Sequence, residues 1–133
     1  MYLLDTNACI RILNDTSAPL IARLRLHSPR EIYLCSVVKA ELIYGAHRSS
    51  RIAENLRLLQ RFFDPFSSLP FDDGCAEQYG RIRDELQRGG TPIGPNDLRI
   101  ASIAVANDFI LITNNTREFA RVVGLQFEDW QRE

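Results

Sequence analysis

Four carboxylates in this chain stand where a carboxylate is costly. Asp5 ends the apolar run Tyr2-Leu3-Leu4 and opens the turn Asp5-Thr6-Asn7. Glu41 lies inside the apolar helical pattern Ser36 to Ala46, Asp97 opens a second such pattern running to Ala106, and Glu118 follows the strand-like run Phe109 to Thr113. A carboxylate on a buried face is unfavourable unless something compensates its charge. Four of them along one small chain point to a shared divalent cation, and so to metal-dependent chemistry on phosphate esters. Each acid also has a structural reading. Asp5 suits a helix N-cap, and Asp97 could cap its helix or complement its positive end. Glu118 could be an exposed turn acid beside Arg117 and Arg121, and Asn115 competes with it for a fourth site position. Glu41 has the weakest structural reading, because helical spacing puts it on the face of Val37, Val38 and Gly45.

The neighbours of these acids are small and polar. Thr6 and Asn7 could orient Asp5 or bind a phosphate oxygen, and Thr113, Asn114, Asn115 and Thr116 could hold a scissile phosphate or the ligands. Lys39 is the sole lysine; every other basic residue is arginine, which suits bidentate phosphate contact and base stacking. Tyr44 could stack a base or sit in the core.

These side chains need elements to carry them. Tyr2 to Leu4 reads as a short buried strand, followed by a helix over 7–14 with Ile10, Ile12 and Leu13 at helical spacing. Pro19 opens a second helix, broken at Ser28-Pro29-Arg30. Residues 32–35 are strand-like, with Ser36 as the expected N-cap of the helix that carries Glu41. An amphipathic helix over 54–63 ends at Pro65, and a short extended piece covers 66–71. Asp72 or Asp73 caps a helix that stops at Gly89-Gly90. The 96–106 helix is apolar on most sides and is expected to be central. A buried strand at 109–113, one or two helical turns at 116–121 and a last strand at 125–127 complete the order. Strands separated by helices predict an α/β fold, a mostly parallel sheet flanked by helices. In such sheets ligands bind beyond the carboxyl ends of the strands. Asp5 and Glu118 follow strands at that edge. Glu41 and Asp97 are expected in the first turns of helices that begin there.

A chain of 133 residues fits a single domain and can bury a real core. The net charge of −1 excludes a generally basic nucleic-acid binder, though not a local basic patch. Cys9, Cys35 and Cys75 are odd in number and widely spaced, which argues against a disulfide framework or a zinc site and for buried small hydrophobes. No signal-peptide pattern and no membrane-length apolar run is present, so the cytoplasm is the default expectation. A metal-free cyclising ribonuclease needs histidines as acid and base. Only His27 and His47 exist, both read as surface positions outside any nucleophile motif. An aspartate-dependent phosphotransfer or phosphatase domain would use Asp5 as nucleophile. It also needs a lysine at the phosphoryl group, and Lys39 is badly placed, two residues before Glu41. The haloacid type further needs a second aspartate where Asn7 stands. A non-catalytic interaction module would be expected to lack one of the acids.

The residues quoted resemble the PIN-domain ribonucleases, in particular the VapC toxins of bacterial toxin–antitoxin pairs. The matching pieces are Leu3-Leu4-Asp5-Thr6-Asn7, Ser36 to Glu41 with Gly45-Ala46, Pro92 to Asp97, Leu111 to Phe119 and Glu128-Asp129-Trp130. They occur in the family's order, and the similarity covers essentially the whole chain, 1–133, as one PIN domain. The resemblance implies a Rossmann-like sheet with strand order scrambled from sequence order. It implies Mg²⁺ or Mn²⁺ at the acidic cluster and endonuclease activity on RNA, with tRNA, and within it the initiator tRNA anticodon region, as the expected substrate. By matching, Asp5, Glu41 and Asp97 take the three main acidic positions and Glu118 lies near the fourth. Asn115 is a departure, because many members carry Asp just after the last strand; one resident ion, with a second arriving with substrate, is the expectation. Arg88 and Arg117 are the expected RNA contacts. A VapB-type antitoxin that masks the site, a homodimer and a higher hetero-oligomer with the antitoxin are the implied assemblies, with no membrane association.

Overall fold

The computed structural model describes residues 1–132. Its order is β1 (Tyr2–Leu4), α1 (Thr6–Leu13), α2 (Ala18–Arg25), a 3₁₀ turn (Pro29–Glu31), β2 (Ile32–Cys35), α3 (Ser36–His47) and α4 (Ile52–Phe63). There follow β3 (Ser67–Leu69), α5 (Asp73–Arg88), α6 (Pro95–Asn107), β4 (Ile110–Ile112), α7 (Thr116–Phe119) and β5 (Gln126–Glu128). The strands form one parallel sheet in the order β3-β2-β1-β4-β5, flanked by the seven helices. The scrambled order is as the resemblance implied, with the first strand in the centre. Tyr2 faces Ile32 on one side and Ile110 on the other.

Central parallel strands are covered on both faces, so their residues are apolar without alternation. Leu3, Leu4, Leu34, Leu111 and Ile112 are accordingly almost fully buried. The α6 pattern has the expected outcome: Ile100 to Ala104 are all buried, and the Ser102 hydroxyl is satisfied by donating to the Leu98 carbonyl at 2.7 Å. Asp108, in the left-handed region at φ 56°, terminates that helix. The three cysteines are buried free thiols. Among the described residues no helix is long and apolar enough to cross a membrane.

Three local expectations are corrected. Ser36 is the first residue of α3, and Cys35 takes the cap position without a side-chain bond. Ile10 is exposed, because α1 turns it away from the sheet while Ala8 and Cys9 pack inward. His27 is no free surface residue. Its ring stacks on the buried Trp130 at 5.0 Å and 5°, and meets Tyr2 at 4.7 Å.

Candidate active site

All four acids gather at the carboxyl edge of the sheet. Asp5 follows β1, and its N–H donates to the Ile112 carbonyl at 3.1 Å, which ties the start of α1 to the end of β4. Its side chain caps α1 by accepting from the Ala8 N–H at 2.8 Å. The cap reading and the site reading of Asp5 are therefore both satisfied by one carboxylate. Asp5 is only 4% exposed. Burial pushes its pKa from 3.8 up to about 6. Hydrogen bonds from Thr113 and Ala8 oppose that rise, and the charges of Asp97 and Glu41 add to it.

Glu41 sits in the second turn of α3, where the sequence reading expected the first. Its Cβ leans back toward the helix start, and the longer glutamate stem spans a distance that aspartate would not. The Thr6 hydroxyl donates to Glu41 Oε1 at 2.7 Å, bridging α1 and α3. Asp97 lies in the first turn of α6, as expected, and is half-buried. Its pKa is raised by burial first and then by the charges of Glu118 and Glu41, against the hydrogen bond from Asn115. The mutual influence of these charges places the four acids in one neighbourhood.

Asn115 and Glu118 do not exclude one another. The Asn115 amide donates to Glu118 Oε2 at 3.0 Å and to Asp97 Oδ2 at 3.4 Å, so it links the two acids. The Thr113 hydroxyl accepts from the Asn115 N–H at 2.9 Å and is itself buried beside Asp5. At the rim, Asn7 Nδ2 donates to Asn114 Oδ1 at 2.9 Å, joining residues 107 positions apart. The edge opens as a depression of about 510 Å³ lined by Asp5, Thr6, Asn7, Asp97, Asn114 and Asn115. A second recess, about 450 Å³, borders Glu41 with Val37, Tyr44, Asn96 and Arg99.

The arginines expected at the substrate are less well supported. Arg88 extends into solvent and is paired with Asp84 at 2.9 Å, and Arg117 is exposed with no bond to the acids. Arg99, two residues after Asp97, is the arginine that reaches the Glu41 recess. That position within α6 was the available sequence signal. Tyr44 is 64% exposed, which removes its core reading.

The donor set is all oxygen, which suits a hard divalent cation and not zinc or an iron–sulfur cluster. A mutually repelling set of carboxylates around the buried Asp5 is one that a cation would relieve. Among the described residues, however, no three His, Cys, Asp or Glu side chains close around a single point. Glu41 is drawn aside by Thr6 and Asp97 by Asn115, so the set offers individual oxygens around a wider space. Mg²⁺ tolerates this because it keeps several of its waters.

Comparison with known proteins identifies the family and the fold. The PIN domain family model matches residues 2–125. The chain is 41% identical over 129 residues to the tRNA(fMet)-specific endonuclease VapC of Shigella flexneri, covering 97% of each chain. It is 37% identical over 133 residues to ribonuclease VapC2 of Rickettsia felis, covering 99% of each. Among solved structures, the R. felis VapBC2 complex bound to a promoter DNA fragment contains a chain that superposes with a TM-score of 0.91 at 37% identity, covering 97% of this chain and 98% of that one. The DNA-bound VapBC complex of Salmonella typhimurium gives a TM-score of 0.91 at 38% identity, covering 97% of each chain. A parallel sheet in the order β3-β2-β1-β4-β5, an acidic cluster at its carboxyl edge and these matches over nearly the whole length lead to one conclusion: the chain belongs to the PIN-domain family and, within it, to the VapC ribonucleases.

Proposed function

We propose that the protein is the metal-dependent endoribonuclease toxin of a type II toxin–antitoxin module, hydrolysing RNA phosphodiesters and thereby inhibiting translation. The observation that carries the reading is the buried carboxylate of Asp5, held at the carboxyl end of the central strand beside Asp97, Glu41 and Glu118. The name of the Shigella relative, a tRNA(fMet)-specific endonuclease, favours tRNA as substrate, and we propose the initiator tRNA anticodon region within it. The solved relatives are VapBC complexes, which favours a VapB-type antitoxin as partner. A homodimer and a larger assembly with the antitoxin complete the reading.

Asp5 and Asp97 would hold Mg²⁺ or Mn²⁺ directly, and Glu41 would hold it through water. When bound, the cation lowers the pKa of an attacking water and neutralises charge on the phosphate oxygens. Water adds to phosphorus, the P–O3′ bond breaks, and the products carry a 5′-phosphate and a 3′-hydroxyl. Glu41 suits the orientation of the attacking water, because Thr6 fixes one of its oxygens and leaves the other free. Asn115 holds Asp97 and Glu118 in fixed rotamers, so neither must reorganise during reaction. Asn7 and Asn114 offer amide donors to the phosphate, while Thr113 orients Asp5.

The test is cleavage of total cellular RNA by purified protein with Mg²⁺ or with chelator, beside Asp5→Ala. Discrete Mg²⁺-dependent fragments absent from the variant are expected. Folded, antitoxin-free protein that leaves RNA intact under every condition would instead favour a non-catalytic PIN-like interaction module.

A further inference from the structure

A separate cavity lies away from the depression at Asp5. It is a cleft of about 290 Å³ between α5 and α6, floored by Leu86, Ile93, Pro95 and Leu98. Tyr79 forms one wall. Its ring is held by an edge contact with Phe71 at 6.0 Å, and its hydroxyl accepts from Arg83 at 3.1 Å. The guanidinium groups of Arg83 and Arg99 each lie 5.9 Å from the centroid of that ring. Two like charges share one aromatic ring, and among the described residues neither is paired with a carboxylate. The nearby acids of α5 are already engaged, Glu85 by Arg81 at 3.1 Å and Asp84 by Arg88 at 2.9 Å. In a chain of net charge −1, this cleft concentrates uncompensated positive charge around an apolar pocket. Arg99 also lines the Glu41 recess, so a single side chain joins the cleft to the acidic edge.

We propose that this cleft is a nucleotide subsite, in which one unstacked base of the RNA lies against Tyr79 while Arg83 and Arg99 hold the adjoining phosphates. The proposal rests on the ribonuclease reading. Single-stranded RNA is recognised by splaying bases onto aromatic rings and guanidinium planes, with the backbone held by cations. The cleft supplies a ring, an apolar floor and two free guanidinium groups. The continuity through Arg99 makes the occupant a nucleotide close to the scissile phosphate. It also identifies Arg83, in place of the salt-bridged Arg88, as the substrate arginine of α5.

The experiment measures fluorescence polarisation of a labelled single-stranded RNA on full-length protein carrying Asp5→Asn, so that no cleavage occurs. Tyr79→Leu and Arg83→Gln are each expected to weaken binding by about tenfold or more, the range for one stacked base. Tyr79→Phe keeps the ring and is expected to bind like its parent. Arg57→Gln, an equal charge change on the exposed side of α4, is the control. In the otherwise native protein with Mg²⁺, Tyr79→Leu and Arg83→Gln are expected to raise KM more than they lower kcat, as loss of ground-state binding does. RNA cleaved by the native protein but bound by Arg83→Gln no more weakly than by Arg57→Gln would overturn the subsite and leave the ribonuclease reading intact. RNA bound through Tyr79 and Arg83 but never cleaved would uphold the subsite and overturn the catalytic reading.

Discussion

Asp5→Asn should stabilise the metal-free protein, and only at neutral pH. Burial lifts the folded-state pKa of Asp5 from 3.8 to about 6. Because the folded form binds the proton more tightly than the unfolded chain does, ionisation destabilises the fold. The penalty is absent below about pH 4, grows as pH rises between the two values and is complete above about pH 7. At 1.36 kcal/mol per pKa unit it amounts to roughly 3 kcal/mol when complete. Asparagine removes the charge and keeps an oxygen for the Ala8 N–H, since it caps helices as well as aspartate does. The charge-assisted bond from Thr113 is lost at a cost of about 1 kcal/mol. The net gain is then about 2 kcal/mol near pH 7.5, or roughly 5–10 °C in Tm for a chain of this size, and close to zero or slightly negative near pH 4. Urea unfolding with chelator at both pH values measures it. An equal change at the two pH values, or destabilisation at pH 7.5, would refute the burial argument.

Mg²⁺ should reverse the order, raising the Tm of the native protein with the logarithm of its concentration above Kd and leaving Asp5→Asn unmoved in a thermal scan. Glu118→Gln is expected to cost less activity than Glu41→Gln, because Asn115 continues to hold Asp97 when Glu118 is neutral; the reverse order of initial rates would overturn that ranking. Thr6→Val keeps the shape of the α1 start and removes the donor to Glu41, so a loss of about 10-fold or more in kcat is expected with the urea midpoint little changed. Asn115→Asp should raise the Asp97 pKa further and tighten Mn²⁺ binding in calorimetry, by adding charge where a neutral amide now bridges Asp97 and Glu118.

Much of this architecture was legible because local and global signals agree. Tyr2–Leu4, Ile32–Cys35 and Ile110–Ile112 read as apolar runs bounded by polar turns, since a buried parallel strand needs no alternation. Asp5 stood out because it opens a helix at the end of a strand, and Asp97 because it lies in the first turn of an otherwise apolar helix. What escaped the sequence depends on contacts far apart in the chain. His27 was read as surface because nothing local reveals that Trp130, more than a hundred positions later, stacks on it. Glu41 falls in the second turn of α3 because it lies five residues after Ser36, a spacing that the first-turn expectation overlooked. Asn115 and Glu118 looked like competitors in sequence, and only the geometry showed the amide joining one acid to another. The pairing of Arg88 with Asp84 was hidden for a similar reason, since it depends on side-chain rotamers.

The central position of β1 has a consequence during synthesis. Its left-hand partner, β2, emerges early, but its right-hand partner, β4, is made only after residue 110. The bond from the Asp5 N–H to the Ile112 carbonyl, and the link from Asn115 to Asp97, cannot exist on a shorter nascent chain. The acidic edge therefore cannot assemble until the segment through Glu118 has been made. Fragments that stop short of β4 lack the strand that flanks β1 on that side, and so cannot close the acidic edge.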